Sequence, residues 1–90
     1  MTKVRIDGYR HYTNKDTGEV KTVVYYSTDV KDSIYYDAED PNCYGFVHAP
    51  PAWIDGFYDY KVNDFYELVF DIDFLYGKVF TRVIGFDVIS

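Results

Sequence analysis

The sequence predicts an all-β fold made of one small, curled antiparallel sheet or barrel with five or six strands. Three observations support this prediction. Apolar and polar residues alternate near both ends of the chain, β-branched and aromatic residues are abundant, and short turn segments join successive strands into local hairpins. Because 90 residues supply one modest core, we predict a single domain over residues 1–90.

An amino-terminal β-hairpin is the first predicted element. Residues 2–12 alternate, residues 20–28 are rich in strand-forming side chains, and the turn at 14–18 ends in a glycine that can adopt a positive φ. The alternation places Val4, Ile6 and Gly8 on the buried face. It groups these side chains on the opposite, solvated face: Lys3, Arg5, Asp7, Tyr9 and His11.

The middle of the chain has a weaker pattern. We predict short strands over residues 34–36 and 44–48. Pro51 suits the first position of a single helical turn, so we predict at most one short helical turn near residues 51–56. Trp53 would then plug one end of the barrel.

A second hairpin is predicted at the carboxyl-terminal end. Residues 65–75 alternate and carry acids on their outer face, and residues 78–89 return as the last strand. A two-residue turn between these strands sets Asp71 opposite Arg82.

Catalysis, metal binding and cofactor binding are not expected. The sequence has no Gly-rich phosphate loop, no pair of histidines at metal-ligand spacing and no recognisable nucleophile motif. Its one cysteine, Cys43, cannot form an internal disulfide, and His11 and His48 do not complete a zinc-ligand pattern. We therefore predict a non-catalytic protein with no cofactor and no metal.

The apolar runs are too short to cross a bilayer as helices. The amino terminus leads directly into a strand pattern, with no apolar signal segment. We therefore predict no membrane association and a cytoplasmic location.

The aromatic content and the charge distribution favour a binding protein. Aromatic residues make up 21% of the chain and include eleven Tyr, more than a core of this size can bury with every hydroxyl paired. The net charge is −6, yet residues 1–31 carry +2 and residues 32–90 carry −8. A cationic hairpin with interleaved rings suits the phosphates and stacked bases of a single strand. The competing interpretation is an ordinary solvated hairpin.

The motif VxIxGYRxYTxKxTG at residues 4–18, followed by a Val/Tyr-rich strand, resembles the amino-terminal hairpin of small phage and plasmid single-stranded-DNA-binding proteins of the gene V type. The closing stretch, with GFY at 56–58 and YGKV at 76–79, is also similar to those proteins. The resemblance implies a five-stranded OB-like barrel, a dimer, and coating of single strands without a cofactor. Carried onto this sequence, it implies a nucleic-acid face at Arg5, Tyr9, Arg10, His11, Lys15, Lys21, Tyr25 and Tyr26.

These arguments together predict a single-stranded nucleic-acid-binding protein of a phage or mobile element. We also predict a homodimer, because the chain has more large rings than one copy can cover. The rings that prompt this prediction are Phe57, Tyr58, Tyr60, Phe65 and Tyr66.

An alternative function follows from the acidic residues. Rows of carboxylates mixed with rings could imitate a phosphate backbone and bind a basic host protein that handles DNA or defends the cell. This DNA-mimic inhibitor would use Glu39, Asp40, Asp59, Glu67, Asp71 and Asp73. A plain solvated acidic surface explains the same residues.

Overall fold

Six strands and one turn of 3-10 helix make up the fold of residues 2–89, the part of the chain that the computed structural model describes. The strands are β1 (Lys3–Thr13), β2 (Val20–Asp29), β3 (Phe46–His48), β4 (Ala52–Asp55), β5 (Phe65–Leu75) and β6 (Lys78–Val88), and the 3-10 turn is Val30–Asp32. They form one antiparallel sheet in the order β3-β2-β1-β5-β6, with β4 also paired to β2. The prediction of an all-β fold is confirmed.

The amino-terminal hairpin is confirmed. Strand β1 pairs with β2 from Val4 opposite Thr28 to Thr13 opposite Val20. In the connecting turn the Asn14 carbonyl accepts a hydrogen bond from the Gly18 N–H at 2.8 Å, and Gly18 adopts a φ of 74°. A positive φ is costly for residues with a Cβ, which explains a glycine at this position.

A β-bulge interrupts this hairpin. Ile6 lies opposite Tyr26 and Gly8 lies opposite Tyr25, so Asp7 is an extra residue in β1. Because side chains alternate strictly along a strand, one extra residue reverses the faces of everything that follows. The predicted grouping of Arg5 with Tyr9 and His11 on one face is therefore wrong.

Strands β3 and β4 share the free edge of β2. Residues Ser27–Asp29 pair with β3 and residues Lys21–Val24 pair with β4. The break between the two short strands falls at Pro50 and Pro51, which have no N–H to donate to a neighbouring strand.

The helical turn predicted near residues 51–56 is wrong. Residues 52–55 instead alternate as an extended strand, with Ala52 and Ile54 buried and Trp53 and Asp55 exposed. Pro51 lies immediately before this strand, at a position where a proline removes no ladder hydrogen bond.

The strand predicted over residues 34–36 is also wrong, because this segment forms turns. The 3-10 turn that precedes it is capped by the Asp29 carboxylate, which accepts a hydrogen bond from the Lys31 N–H at 2.9 Å. Further along, the Asp37 and Asp40 carboxylates accept hydrogen bonds from backbone N–H groups two residues later. Such local bonds compete with strand pairing. The strand predicted over residues 44–48 is present as the shorter β3.

The carboxyl-terminal hairpin is confirmed, including its register. Its turn consists of Tyr76 and Gly77, both with positive φ, and Asp71 lies opposite Arg82 as predicted. Strand β1 flanks β5 only at its first residues, Phe65–Glu67. The rest of the hairpin extends away from the sheet, and every residue from Phe70 to Arg82 is exposed.

The projecting hairpin gives the molecule an elongated shape. The radius of gyration is 15.1 Å, whereas a compact domain of this length has about 12 Å. The principal extents are 50 × 37 × 25 Å.

The core lies on the inner face of the curled sheet. Its buried members are Val4, Ile6, Val24, Tyr26, Ala52, Ile54, Tyr66 and Phe86. Strands β4 and β6 approach each other as the sheet curls, but within residues 2–89 no hydrogen-bonded ladder joins them. The sheet is therefore open, and the predicted closure into a five-stranded barrel is not confirmed.

Candidate nucleic-acid interface

The sheet face opposite the core carries the site with the most binding chemistry, and we call it the outer face. Register and burial assign its residues, because side chains directly opposite each other in an antiparallel pair lie on the same face. The outer face comprises Lys3, Arg5, Arg10, Tyr12, Lys21, Val23, Tyr25, Ser27, Asp29, Phe46, His48, Trp53, Asp55, Phe65, Glu67 and Asp87.

One cluster of rings surrounds Arg10. The guanidinium carbon of Arg10 lies 5.8 Å from the Trp53 ring centre, and its Nε donates a hydrogen bond to the Tyr25 hydroxyl at 3.2 Å. Tyr12 meets the edge of Trp53 with ring centres 5.5 Å apart. These three rings are 37–49% exposed, while Val23 beneath them is buried. The cluster is therefore an aromatic platform that remains accessible to solvent.

A second cluster lies at the opposite end of β1. The Lys3 Nζ is 4.6 Å from the Phe65 ring centre, and the Arg5 guanidinium carbon is 4.8 Å from that of Phe46. The two rings contact each other with centres 5.9 Å apart. A cation over a ring face is attracted by the ring quadrupole.

The cations of the outer face differ in their acidic partners. Lys21 contacts the carboxylates of Asp55 at 2.8 Å and Glu19 at 3.1 Å. The hydrogen bonds to Asp55 and Glu19 raise the pKa of the Lys21 amine, and the hydrogen bond and charge of Lys21 lower the pKa of Asp55. Within residues 2–89, neither Lys3 nor Arg10 has a carboxylate within 4.0 Å.

Asp7, the bulge residue, connects three strands. Its carboxylate accepts hydrogen bonds from the Ser27 hydroxyl and from Arg5 Nε at 3.1 Å, and lies 3.1 Å from Nδ1 of His48. Burial acts to raise the pKa of Asp7, but the bonds from Ser27 and Arg5, the Arg5 charge and the His48 contact together lower it. Asp7 therefore stabilises β1, β2 and β3 as an ionised carboxylate.

The Ser27, His48 and Asp7 side chains do not have the geometry of a catalytic triad. A triad uses both imidazole nitrogens, one toward the serine and one toward the carboxylate. Here a single nitrogen, Nδ1, lies 3.0 Å from the Ser27 hydroxyl and 3.1 Å from the Asp7 carboxylate. The serine hydroxyl, moreover, donates to the carboxylate.

The predicted nucleic-acid residues are divided between the two faces. Arg5, Arg10, Lys21 and Tyr25 lie on the outer face, and Lys15 is exposed in the β1–β2 turn. The remaining three residues lie on the core side of the sheet: Tyr9, His11 and Tyr26.

These three residues are engaged by the protein itself. Tyr26 is 7% exposed, and burial raises the pKa of its hydroxyl. The His11 ring stacks on Phe57 with centres 4.7 Å apart, and the Tyr9 hydroxyl donates to the Asp59 carboxylate at 3.3 Å. The arrangement predicted for the hairpin is wrong in this respect, because the bulge turns Tyr9 and His11 away from Arg5.

The six acids of the alternative function do not form one row, although Glu67, Asp71 and Asp73 share one face of β5 as predicted. Glu39 and Asp40 lie in the turns before β3, and Asp59 lies beside Tyr9 on the core side. In β6, Asp87 lies opposite Glu67, Arg82 lies opposite Asp71, and Phe80 lies opposite Asp73.

Sequence reasoning missed Tyr12, Phe46, Phe65 and Trp53 as outer-face rings. Trp53 is 49% exposed on this face, so its prediction as a plug of a barrel end is wrong. The alternation of residues 52–55 was the available signal, but the adjacent prolines favoured a helical interpretation.

A half-open cleft of about 690 Å³ separates β4 from β6. Its lining mixes rings, cations and one acid: Trp53, Tyr58, Lys21, Arg82 and Asp55. Across residues 2–89, no group of three or more His, Cys, Asp or Glu side chains is arranged to hold a metal ion. The same part of the chain contains no helix long and apolar enough to span a bilayer.

Comparisons of the chain with protein-family models, curated proteins and solved structures found no match. The resemblance to gene V-type proteins therefore stays a prediction.

Proposed function

We propose that this protein binds single-stranded nucleic acid, without catalysis and without strong sequence preference, through the outer face of its sheet. The observation that carries the proposal is the cluster around Arg10. Its guanidinium lies against Trp53 and is hydrogen-bonded to Tyr25, with no carboxylate of the described residues within ion-pair distance. A cation without an acidic partner, surrounded by half-exposed rings, matches the requirements of single-strand binding.

In the proposed complex the strand follows β1 from the Arg10 cluster to the Lys3 cluster. Bases stack on Trp53 and Tyr12 at one end and on Phe46 at the other, because each of these rings is more than a third exposed. A stacked base contributes roughly 1–3 kcal/mol whatever its identity. Arg10 and Lys3 contact the phosphates between the stacked bases.

The overall negative charge limits the affinity without preventing binding. Fixed charges are screened beyond about 8 Å at physiological salt, so only nearby acids act strongly on a strand bound at the outer face. Asp7 and Asp55 pair with Arg5 and Lys21 at short range, and Glu67 lies opposite Lys3 on the same face. We therefore expect modest affinity that falls steeply as salt rises.

The proposal extends to the setting of the protein. It acts as a homodimer in the cytoplasm of the host of a phage or mobile element. Its open sheet is a variant of the OB-like barrel, since β4 and β6 approach each other as they would in a closing barrel.

A mobility-shift titration with a labelled single-stranded oligonucleotide tests the proposal. We expect a complex that forms in low salt and weakens as salt is added. Unlabelled single strands of other sequences should displace the labelled oligonucleotide. Absence of a complex in low salt would overturn the proposal. Capture of one basic DNA-handling protein by the same preparation would then favour the acidic DNA mimic.

A further inference from the structure

His48 combines an anchored ring nitrogen with an open ring. It ends β3 on the outer face, directly opposite Ser27 of β2, and Ser27 in turn lies opposite Arg5 of β1. Its Nδ1 lies 3.1 Å from the Asp7 carboxylate and 3.0 Å from the Ser27 hydroxyl. The side chain is nevertheless 84% exposed. The sheet therefore holds one nitrogen of the imidazole while most of the ring remains open to solvent.

The partners of Nδ1 determine which ring nitrogen carries the proton. The ionised Asp7 carboxylate can only accept hydrogen bonds, and the single hydrogen of the Ser27 hydroxyl is donated to that carboxylate. Both neighbours thus present acceptor oxygens to Nδ1. A neutral His48 consequently carries its proton on Nδ1, and Nε2 holds the lone pair that takes up a second proton.

Protonation of His48 adds a charge to the outer face without requiring a rearrangement. The Nδ1–H group can donate to Asp7 in both forms of the ring, and Asp7 stays ionised near neutral pH because its pKa lies below the ordinary 3.8. Histidine is the side chain whose charge ordinarily changes between about pH 5 and about pH 8. The protonated ring gains an Nε2–H donor, and a charged N–H group of this kind binds a phosphate oxygen well.

The charges nearest to His48 make this proton important. At this end of the outer face, β2 and β1 present two acids and two cations, which balance: Asp29, Asp7, Lys3 and Arg5. Farther across the sheet, β5 and β6 add only acids, Glu67 and Asp87. The next titratable side chain along β2, Tyr25, is hydrogen-bonded to Arg10. The protonation state of His48 therefore decides whether its surroundings are neutral or cationic.

We propose that protonated His48 contacts a phosphate of the bound single strand, so that affinity rises as the pH falls from about 8 to about 5.5. The inference rests on the proposed function and adds a pH-dependent contact to it. Phe46, two residues earlier in β3, supplies the exposed ring on which a base stacks at this end of the face. His48 thus lies where the strand passes in the proposed complex, and its Nε2–H donates to a phosphate near that base.

The size of the effect follows from one phosphate contact. Such a contact steepens the slope of log affinity against log salt by about 0.7 for a single strand, which corresponds to about eightfold in affinity at about 50 mM salt. Neutral His48 has no Nε2–H to donate, so the contact is absent at about pH 8. We expect both tighter binding and a steeper salt dependence in mild acid.

Anisotropy titrations of labelled oligo-thymidine at about pH 8 and about pH 5.5 test the inference, because thymine bases take up no proton in this range. His48→Asn keeps an N–H donor close to the position of Nδ1 but has no titratable nitrogen. His48→Lys carries its charge at both pH values and provides a second test if His48→Asn does not fold. The matched control is His11→Asn, the same substitution at the other histidine, which lies on the core side.

We expect the native protein and His11→Asn to bind about eightfold more tightly in mild acid. His48→Asn and His48→Lys should each have one affinity at both pH values. Equal affinity of the native protein at the two pH values would overturn the inference and leave the proposed function standing. The same conclusion would follow if a folded His48→Asn or His48→Lys variant still bound more tightly in acid. Absence of binding at either pH would instead remove the proposed function and this inference together.

Discussion

The Arg10 guanidinium lies 5.8 Å from the centre of the Trp53 ring, held there by a hydrogen bond to Tyr25. Trp53 belongs to β4 and Arg10 to β1, so the contact spans the width of β2 between them. The arrangement combines a cation and an accessible ring at one point of the outer face.

Replacing Arg10 with alanine should weaken the binding of single-stranded oligonucleotides and reduce its salt dependence. Loss of one phosphate contact lowers the slope of log affinity against log salt by about 0.7 for a single strand. Titrations at several salt concentrations measure both effects. Lys61→Ala removes the same charge from the exposed loop before β5 and should leave the slope unchanged. Equal slopes for native protein and Arg10→Ala would contradict the assignment of a phosphate contact.

Replacing Trp53 with alanine should weaken binding through lost stacking. Removal of one stacking ring costs roughly 1–3 kcal/mol, a decrease in affinity of about fivefold to 150-fold. Phe57→Ala is the matched control, since Phe57 is 51% exposed, like Trp53 at 49%, but stacks on His11 at the other side of the sheet. If both variants lose affinity equally, the outer face is not the binding surface.

Asp7 should make the stability of the protein depend on pH in acid. Its pKa in the folded state is below the ordinary value of 3.8, so the unfolded chain takes up its proton first. The stabilisation is therefore complete above the unfolded pKa and is lost as the pH falls through the lower, folded value. Urea unfolding of the native chain and of Asp7→Asn, at neutral pH and in acid, measures the difference.

We expect Asp7→Asn to lower the free energy of unfolding at neutral pH by about 1–3 kcal/mol, because the Arg5 charge loses its partner and the Ser27 hydroxyl loses its carboxylate acceptor. The difference in the free energy of unfolding between the native chain and Asp7→Asn should become smaller in acid. Asp16→Asn, in the exposed β1–β2 turn, is the control. A constant gap at every pH would show that the ionised Asp7 carboxylate does not stabilise the fold.

Thr22 should be important for stability although it is polar and fully buried. Its hydroxyl donates to the Gly56 carbonyl at 2.8 Å and accepts from the Tyr58 N–H at 2.9 Å. Thr22→Val keeps the shape but leaves both backbone groups without this partner, at a cost of about 1–3 kcal/mol. Urea unfolding measures the loss, with the exposed Thr13→Val as control. An unchanged urea midpoint for Thr22→Val would mean that water satisfies the Gly56 carbonyl and the Tyr58 N–H in place of the hydroxyl.

The two long hairpins could be predicted from the sequence because their information is local. The alternation of residues 65–75 and the two-residue turn after them determine the register, and the structure places Asp71 opposite Arg82 as expected. Strand β4 could not be predicted in the same way. Its pairing with β2 is a long-range contact, and the nearby prolines suit either a strand end or a helix start.

The local sequence pattern could not predict which side chains of β1 share the outer face. The answer depends on the bulge at one residue, Asp7. Arg5 and Tyr9 have the same parity in the sequence but lie on opposite faces, because the bulge at Asp7 intervenes. Gly8 was the only local signal, since a glycine within a strand often accompanies a bulge. The bulge is stabilised by the contacts of Asp7 with Ser27 and His48, which are distant in sequence.

Trp53 is the only tryptophan of the chain. Because its indole sits on the outer face and not in the core, its intrinsic fluorescence reports on that surface alone, free of background from any other indole. A ligand that covers this ring should quench the tryptophan fluorescence of the unlabelled protein. Binding, and its competition by other ligands, can then be measured without chemical modification of either partner.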